Sequence, residues 1–344
     1  MWVLVKLDEE GKEGKSVYFT KRKEYFVGRK DGCDIKIPDK SISRTHAKLI
    51  LKSDHSFAVL DLSSKFGSTV NGEAIAGNQE KLLKHQDVLQ FGTNDFKLKV
   101  YLKQYKICCS NFQSTEQRKQ VRLQIEDIGA VNCDDIESAD ILLVASFAVT
   151  PKLLVALVKG IPIISTQWII DVENRTKISS PIPEFSKYIP DMSSTDWKKD
   201  VLLPNPSRKT LLQDMVFVVL SKLQFDKTNH MIKEASGSVI LWNIDVKSVK
   251  EAESYLVQMR HAYFIHSHKY KDTMTTVHEF IKERGFDWIS EDDIGNSIIV
   301  ASTDNIHRVV PKIAQIEKSK VSKEEVEISS KPSNSIFNIM EIKG

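Results

Sequence analysis

Cysteine is scarce in this sequence. Only Cys33, Cys108, Cys109 and Cys133 occur among 344 residues, and none stands in a CxxC spacing. That excludes a disulfide framework and suits reduced thiols in a cytosolic or nuclear protein. An excess of either charge is also missing, since 49 basic and 46 acidic residues leave a formal +3. Proteins that coat nucleic acid non-specifically carry a much stronger basic surplus, so the balance argues against that activity. Long apolar runs are absent. The most apolar region, Ala139 to Ile164, is broken by Pro151, Lys152 and Lys159 and does not span a membrane. Met1-Trp2-Val3 leads straight into a strand pattern, with no secretory signal ahead of it.

Catalytic signatures are lacking as well. Gly14-Lys15-Ser16 ends like a P-loop, but Glu9 stands where the first glycine is needed. No GxSxG appears, so a nucleophile elbow has no support. His261, His266 and His268 cluster without an HExxH or cysteine partner, and read as solvated or core histidines, not a metal site. Neither a cofactor nor a metal is expected, and the chain does not read as an enzyme.

What is present is enough material for two or three domains, with 41% hydrophobic and 28% charged residues. From Trp2 to about Leu102 the pattern is strand-like. Ala47, Leu49 and Leu51 alternate with polar neighbours, and Asn71-Gly72 and Gly92 punctuate the short runs. Three polar segments interrupt these runs: Gly28-Arg29, Ser41 to His46, and Lys65 to Gly72. Together they offer two guanidinium groups, an ammonium, hydroxyls and loop backbone N–H groups, which is what a phosphate needs. No general base or metal ligand accompanies them. The set reads as one that holds a phosphate without cleaving it.

Beyond Tyr105 the periodicity changes. A strand is followed by Ser114-Thr115-Glu116-Gln117 as a helix start, with Val121, Ile125 and Ile128 as an apolar stripe that Gly129 ends. Ala139 to Ser146 suits a buried parallel strand, Thr150-Pro151 opens a helix that stops at Gly160, and Thr166 to Val172 is a short helix with Trp168. This alternation predicts a small parallel sheet with flanking helices. Phe185 to Thr210 has a linker composition. A second α/β unit opens at Met215 to Leu220, with helices around 227–236, 248–261 and 275–284. Its strands are expected at 239–242, 263–265 and 297–300, so it reads as a diverged repeat. Past Lys318 the chain turns charged, then rich in Ser and Asn, as disordered segments are.

In this order, the GR, SxSRTHA and KFGSTVNG segments resemble the forkhead-associated (FHA) domain family. The unit from Tyr105 to Val172 resembles a BRCT domain through Trp168 and Gly160-Ile161-Pro162-Ile163-Ile164, and the second unit resembles a more divergent one. The expected architecture is therefore multidomain: an all-β FHA sandwich over 1–103, then BRCT domains over 104–184 and 211–318. A linker at 185–210 joins them, and a disordered tail fills 319–344. An N-terminal FHA domain abutting tandem BRCT domains is similar to the family of regulatory subunits of the DNA double-strand-break nuclease–ATPase complex. Met1-Trp2 fits that likeness, and Asp293 to Val300 resembles the final strand of that family's second BRCT domain.

The resemblance implies roles for particular residues. In FHA domains the GR arginine and the first-loop serine hold the phosphate, here Arg29 and Ser43. Arg44 and Lys65 add charge, Gly67 allows close backbone approach, Ser68 bonds the ligand and Asn71 grips the peptide main chain. Gly28 and His46 shape the loops. A phosphothreonine is preferred because its methyl group fills a small apolar pocket. In the first BRCT unit Ser110 and Lys152 match the pair that binds phosphoserine, with Asn111 where glycine is usual. Ser221 and Lys222 of the second unit have no partner lysine and read as structural.

The family's activity is that of an adaptor: it brings the nuclease and ATPase subunits to phosphorylated repair and checkpoint proteins at chromosomal breaks in the nucleus. Its ligands carry acidic Ser-x-Thr motifs, and the same activity serves checkpoint signalling, telomere maintenance and meiosis. The nuclease-binding and checkpoint-kinase-binding segments belong to a C-terminal region absent here. Neither a membrane nor a small-molecule substrate is implied. The alternative is a DNA-end-binding scaffold, which the balanced charge disfavours because it predicts a clustered basic face and steep salt dependence.

Overall fold

A computed structural model describes residues 1–306 except 22, 245, 267–274 and 287. His268 and the tail at 319–344 lie outside the described residues. By its internal contacts the chain divides into two compact units, Met1–Lys209 with Ile298–Ala301, and Thr210–Ser297 with Ser302 onward.

Two sheets form the N-terminal sandwich. One has the order β2-β1-β11-β10-β7-β8, built from β1 (Trp2–Leu7), β2 (Glu13–Phe19), β7 (Ser68–Val70), β8 (Glu73–Ala74), β10 (Val88–Phe91) and β11 (Lys97–Leu102). The other has the order β4-β3-β5-β6-β9, from β3 (Glu24–Gly28), β4 (Ile35–Lys36), β5 (Ala47–Leu51), β6 (Phe57–Asp61) and β9 (Glu80–Leu82). The period of two expected in β5 is present: Ala47, Leu49 and Leu51 are buried while Lys48 and Ile50 are half-buried. These side chains meet Leu4, Phe19, Tyr25, Phe57, Leu89 and Phe91 in one apolar core, which fixes the sheets and so the loops at their ends.

A parallel sheet follows in the order β13-β12-β14-β15, made of β12 (Lys106–Ser110), β13 (Val131–Cys133), β14 (Ile141–Val144) and β15 (Ile163–Ser165). All four residues of β14 are buried, as expected for a continuous apolar strand covered on both faces. The flanking helices are α1 (Thr115–Asp127), α2 (Pro151–Lys159) and α3 (Gln167–Glu173). Each helix start follows its local chemistry. Ser114 Oγ accepts the Gln117 N–H, Thr150 Oγ1 accepts the Leu153 N–H, and Pro151 takes the first position of α2. Trp168 is fully buried against Tyr105 and Phe185 and donates its indole N–H to Pro183 O at 2.9 Å.

Only Lys103, Gln104 and Tyr105 separate β11 from β12. The two domains are also tied laterally. The Tyr18 N–H donates to Ile178 O at 2.8 Å, and the Arg175 guanidinium lies 5.4 Å from the Tyr18 ring centroid. Ile178 packs on the sandwich core. The Met1 ammonium donates to Lys103 O and Gly129 O at 3.0 and 2.8 Å. Burial there lowers its pKa to about 6.

The second parallel sheet, β17-β16-β18-β19, repeats the strand order of the first. Its strands are β16 (Val216–Val219), β17 (Ser238–Leu241), β18 (Tyr263–His266) and β19 (Trp288–Ser290), with α4 (Lys222–Glu234), α5 (Val249–Gln258), α6 (Thr275–Glu283) and α7 (Glu291–Val300). Two expectations need correction. Residues 297–300 are not a strand but the end of α7, so the likeness of Asp293 to Val300 to a final strand fails. The apolar run there is β-branched, yet Ile294 and Ile298 are buried one turn apart, and Ser290 and Asp293 exchange side-chain-to-backbone bonds at 3.0 and 2.8 Å to start the helix. The first helix of this unit also begins earlier than expected, because Ser221 Oγ accepts the Gln224 N–H and caps it.

The stretch 185–210 is not featureless either. It holds short 3₁₀ turns at Phe185–Lys187, Lys199–Leu202 and Pro206–Thr210. Arg208 is buried there, and its guanidinium donates to Ile298 O and Ile299 O, both near the end of α7, as well as to Leu203 O.

Candidate phosphopeptide sites

The sandwich loops assemble through backbone bonds. The Arg29 N–H donates to Ser43 O at 3.0 Å, and the Lys30 N–H to Arg44 O at 3.1 Å, which lays the Gly28-Arg29 turn along the Ser43-Arg44 loop. Gly28 is where this approach is closest. A Cβ there would fall 2.4 Å from Arg44 O, so only glycine lets the two loops meet. The third loop joins when the Lys65 N–H donates to Ser43 Oγ at 3.2 Å. Arg29 is steadied by its Nε–H, which donates to Ile42 O at 3.1 Å, and Ile42 is itself buried. Arg29, Arg44 and Lys65 are exposed, with Ser43 half-buried among them. Three cations and a hydroxyl thus share one surface, which suits a phosphoester dianion.

Beneath this surface lies a buried polar layer. His46 Nδ1 accepts the Ser43 N–H at 3.1 Å, so its proton sits on Nε2, which faces Gly67 O at 3.0 Å. His46 therefore clamps the first and third loops together by their backbones. Asp61, only 2% exposed, accepts bonds from Ser64 N–H and Oγ–H, both at 2.8 Å, and from Ser68 Oγ–H at 2.5 Å. Gly67 adopts a left-handed φ of 70° at the turn between these residues.

Two expected ligand contacts are corrected here. Ser68 is 2% exposed and its hydroxyl serves Asp61, so it supports the loop from below and does not face a ligand. Asn71 is exposed, but its amide is engaged within the hairpin. Its Oδ1 accepts the Val88 N–H at 2.8 Å and its Nδ2 donates to Asp87 at 2.9 Å, which holds the turn. The resemblance assigns no role to Asp61 or Phe66. Phe66 is 47% exposed beside Lys65, whose ammonium lies 5.3 Å from its ring centroid. The signal for Asp61 was available: it falls in phase with inward Phe57 and Val59 on β6.

In the first parallel sheet, Ser110 ends β12 and Lys152 lies in the first turn of α2. Both line a cleft of about 470 Å³ together with Asn111, Ser114, Thr115 and Arg118. Ser110 Oγ is 3.2 Å from Thr150 Oγ1. Asn111 has a left-handed φ of 54°, the conformation in which glycine is most at ease and which asparagine tolerates better than other residues. Its side chain turns away to Ser146 O and Oγ at 3.0 and 2.9 Å. The Lys152 ammonium is folded back, donating to Asp134 O at 2.8 Å and lying 3.3 Å from Cys108 Sγ. In the second unit Ser221 is the helix cap, as its structural reading anticipated.

Comparison with known proteins agrees with this layout. The FHA domain family matches residues 25–92, the BRCA1 C Terminus (BRCT) domain family residues 100–173, and the second BRCT domain of Nijmegen syndrome breakage protein residues 206–309. Among full-length relatives, Nibrin of Danio rerio is 25% identical over 311 residues, covering 88% of this chain and 37% of that protein. A Nibrin homolog of Arabidopsis thaliana is 30% identical over 284 residues, covering 74% of this chain and 52% of that one. The chain thus spans well under two thirds of these relatives. The solved S. pombe Nbs1 FHA/BRCT-repeat domain superposes with a TM-score of 0.61 at 16% identity, covering 94% of this chain and 99% of that one. The S. pombe Nbs1–Ctp1 complex gives 0.55 at 17% identity, covering 94% and 98%.

Proposed function

Starting from a chain that belongs to the nibrin family as its FHA–BRCT–BRCT region, we propose that it is a non-catalytic adaptor that reads phosphorylated proteins in DNA repair. The observation that carries this reading is the three-loop junction at Ser43. Its carbonyl and hydroxyl receive the Arg29 and Lys65 amides, which gathers Arg29, Arg44 and Lys65 on one exposed surface. Phosphothreonine in acidic Ser-x-Thr motifs, such as repeated Ser-Asp-Thr-Asp, is the ligand we assign to it. The acidic flanks would meet the same cations. Ser110 and Lys152 would take a phosphoserine. A solved S. pombe relative holds Nbs1 together with Ctp1, and a phosphorylated repair factor is the corresponding partner for this chain.

In the full-length protein such contacts would bring the nuclease and ATPase subunits, and a checkpoint kinase, to chromosomal breaks in the nucleus. Telomere maintenance and meiosis would draw on the same recruitment. A single contact of this kind typically gives micromolar affinity, about −8 kcal/mol. The test is titration of phosphothreonine and unphosphorylated peptide arrays against wild type and Arg29→Ala. Wild type should prefer the phosphorylated set by about tenfold or more, and Arg29→Ala should lose that preference, since charge-assisted bonds contribute about 1.5–3 kcal/mol each. Equal binding of both sets by wild type would sink the proposal.

A further inference from the structure

The cleft at Ser110 has more positive charge around it than the serine–lysine pair supplies, and one acidic residue holds that charge in place. Arg118 lines the cleft from the first turns of α1, and its Nη2 donates to Asp134 Oδ1 at 3.1 Å. Arg122, one helical turn further on, donates to the same oxygen. The backbone carbonyl of Asp134 takes the Lys152 ammonium at 2.8 Å. Three cations therefore converge on one residue that carries a single negative charge.

We propose that Arg118 is a second phosphate-binding cation of this cleft, held in reserve by Asp134, and that a phosphoserine ligand displaces the Asp134 carboxylate from it. The proposal rests on the reading of the cleft as a phosphoserine site. The Asp134 carboxylate is 70% exposed and Arg118 45%, so solvent screens their pairing and it is readily exchanged. A phosphoester carries about −1.5 to −2 charges at neutral pH and offers three oxygens to the planar guanidinium fork, which a lone carboxylate oxygen does not. The Asn111 amide is turned to Ser146, while Arg118 lines the same cleft as Ser110 and Lys152 and brings a guanidinium to it. Asp134 thus acts as an internal competitor: it keeps Arg118 ordered when the cleft is empty and lowers the affinity for weakly charged ligands. Arg122 remains behind to neutralise Asp134 once Arg118 has moved.

The test uses the whole chain in an Arg29→Ala background, so that the sandwich site is silent. The probe is a fluorescent peptide pool with a fixed phosphoserine and degenerate flanks, alongside the same pool with serine. Arg118→Ala should weaken phosphoserine binding by about tenfold or more. Asp134→Asn should tighten it by about two- to fivefold, the scale of an exposed ion pair. That substitution leaves the backbone carbonyl bonded to Lys152, and misfolding cannot mimic a gain. Lys152→Met should abolish binding. If Lys152→Met abolishes binding while Arg118→Ala and Asp134→Asn leave it unchanged, the role of Arg118 is overturned and the cleft stands as a phosphoserine site. If Asp134→Asn weakens binding as much as Arg118→Ala does, the pair is only a structural brace and the proposal fails. A parent that binds both pools equally overturns the cleft reading and the proposal with it.

Discussion

Ser43 presents its hydroxyl at the loop surface beside the Lys65 amide, whereas Ser68 buries its own against Asp61. Both matched the motif letters, but a motif gives residue types and not the side of a strand on which they fall. The missing information lay in the alternation. Ser68 is two residues from inward Val70 on β7, so the pleat turns it inward too. Arg118 continues the line of Val121 and Ile125 back to the first turn of α1, where the helix is exposed, so the apolar stripe that marks the helix carries no sign of a guanidinium at its start. The two serines should separate cleanly in experiment. Ser68→Ala should lower stability by about 1–3 kcal/mol in chemical denaturation, because Asp61 loses one buried donor. Phosphothreonine affinity of the folded fraction should stay near wild type. Ser43→Ala should do the reverse.

Elements were legible where length, cap and period agreed. β14 and α2 are examples: an unbroken apolar strand, then Thr150, Pro151 and Gly160 marking the helix at both ends. α7 shows the limit. Its Ile298-Ile299-Val300 run satisfies strand propensity, and only the upstream Ser290–Asp293 box reveals that the chain is already helical. Tertiary burial of Ile294 and Ile298 on one face then overrides the β-branched preference. Ser290→Ala should therefore cost about 1 kcal/mol, read as a lower thermal midpoint with a loss of helical circular dichroism. An unchanged midpoint would mean that burial alone sets the helix.

At the scale of the molecule, the order of a sandwich followed by two parallel sheets could be read from the change of hydrophobic period at Tyr105 and its recurrence after Met215. The lateral ties between the first two domains could not. Gly129 shows why. Its φ of 73° ends α1, which the sequence announced, but a Cβ there would also fall 2.8 Å from the Met1 nitrogen. A contact between residues so far apart in sequence leaves no local trace.

The short junction of Lys103, Gln104 and Tyr105, braced by the Tyr18–Ile178 bond, has a consequence for ligands that carry two phosphates. Domains held in this way cannot adjust their separation, so the adjustment falls to the ligand. Two phosphopeptides joined by a Gly/Ser chain span about 5–6 Å times the square root of the residue number. Affinity should rise sharply once that span reaches the distance between the Arg29 and Lys152 sites. It should then decline roughly as the −3/2 power of length, with a gain of about 10²–10⁴ over either half at the optimum. Titrating a series of linker lengths would show this peak, and a flat series would show that the sites act independently. On the function proposed above, a chain built in this way would measure how far apart two phosphates stand on its ligand.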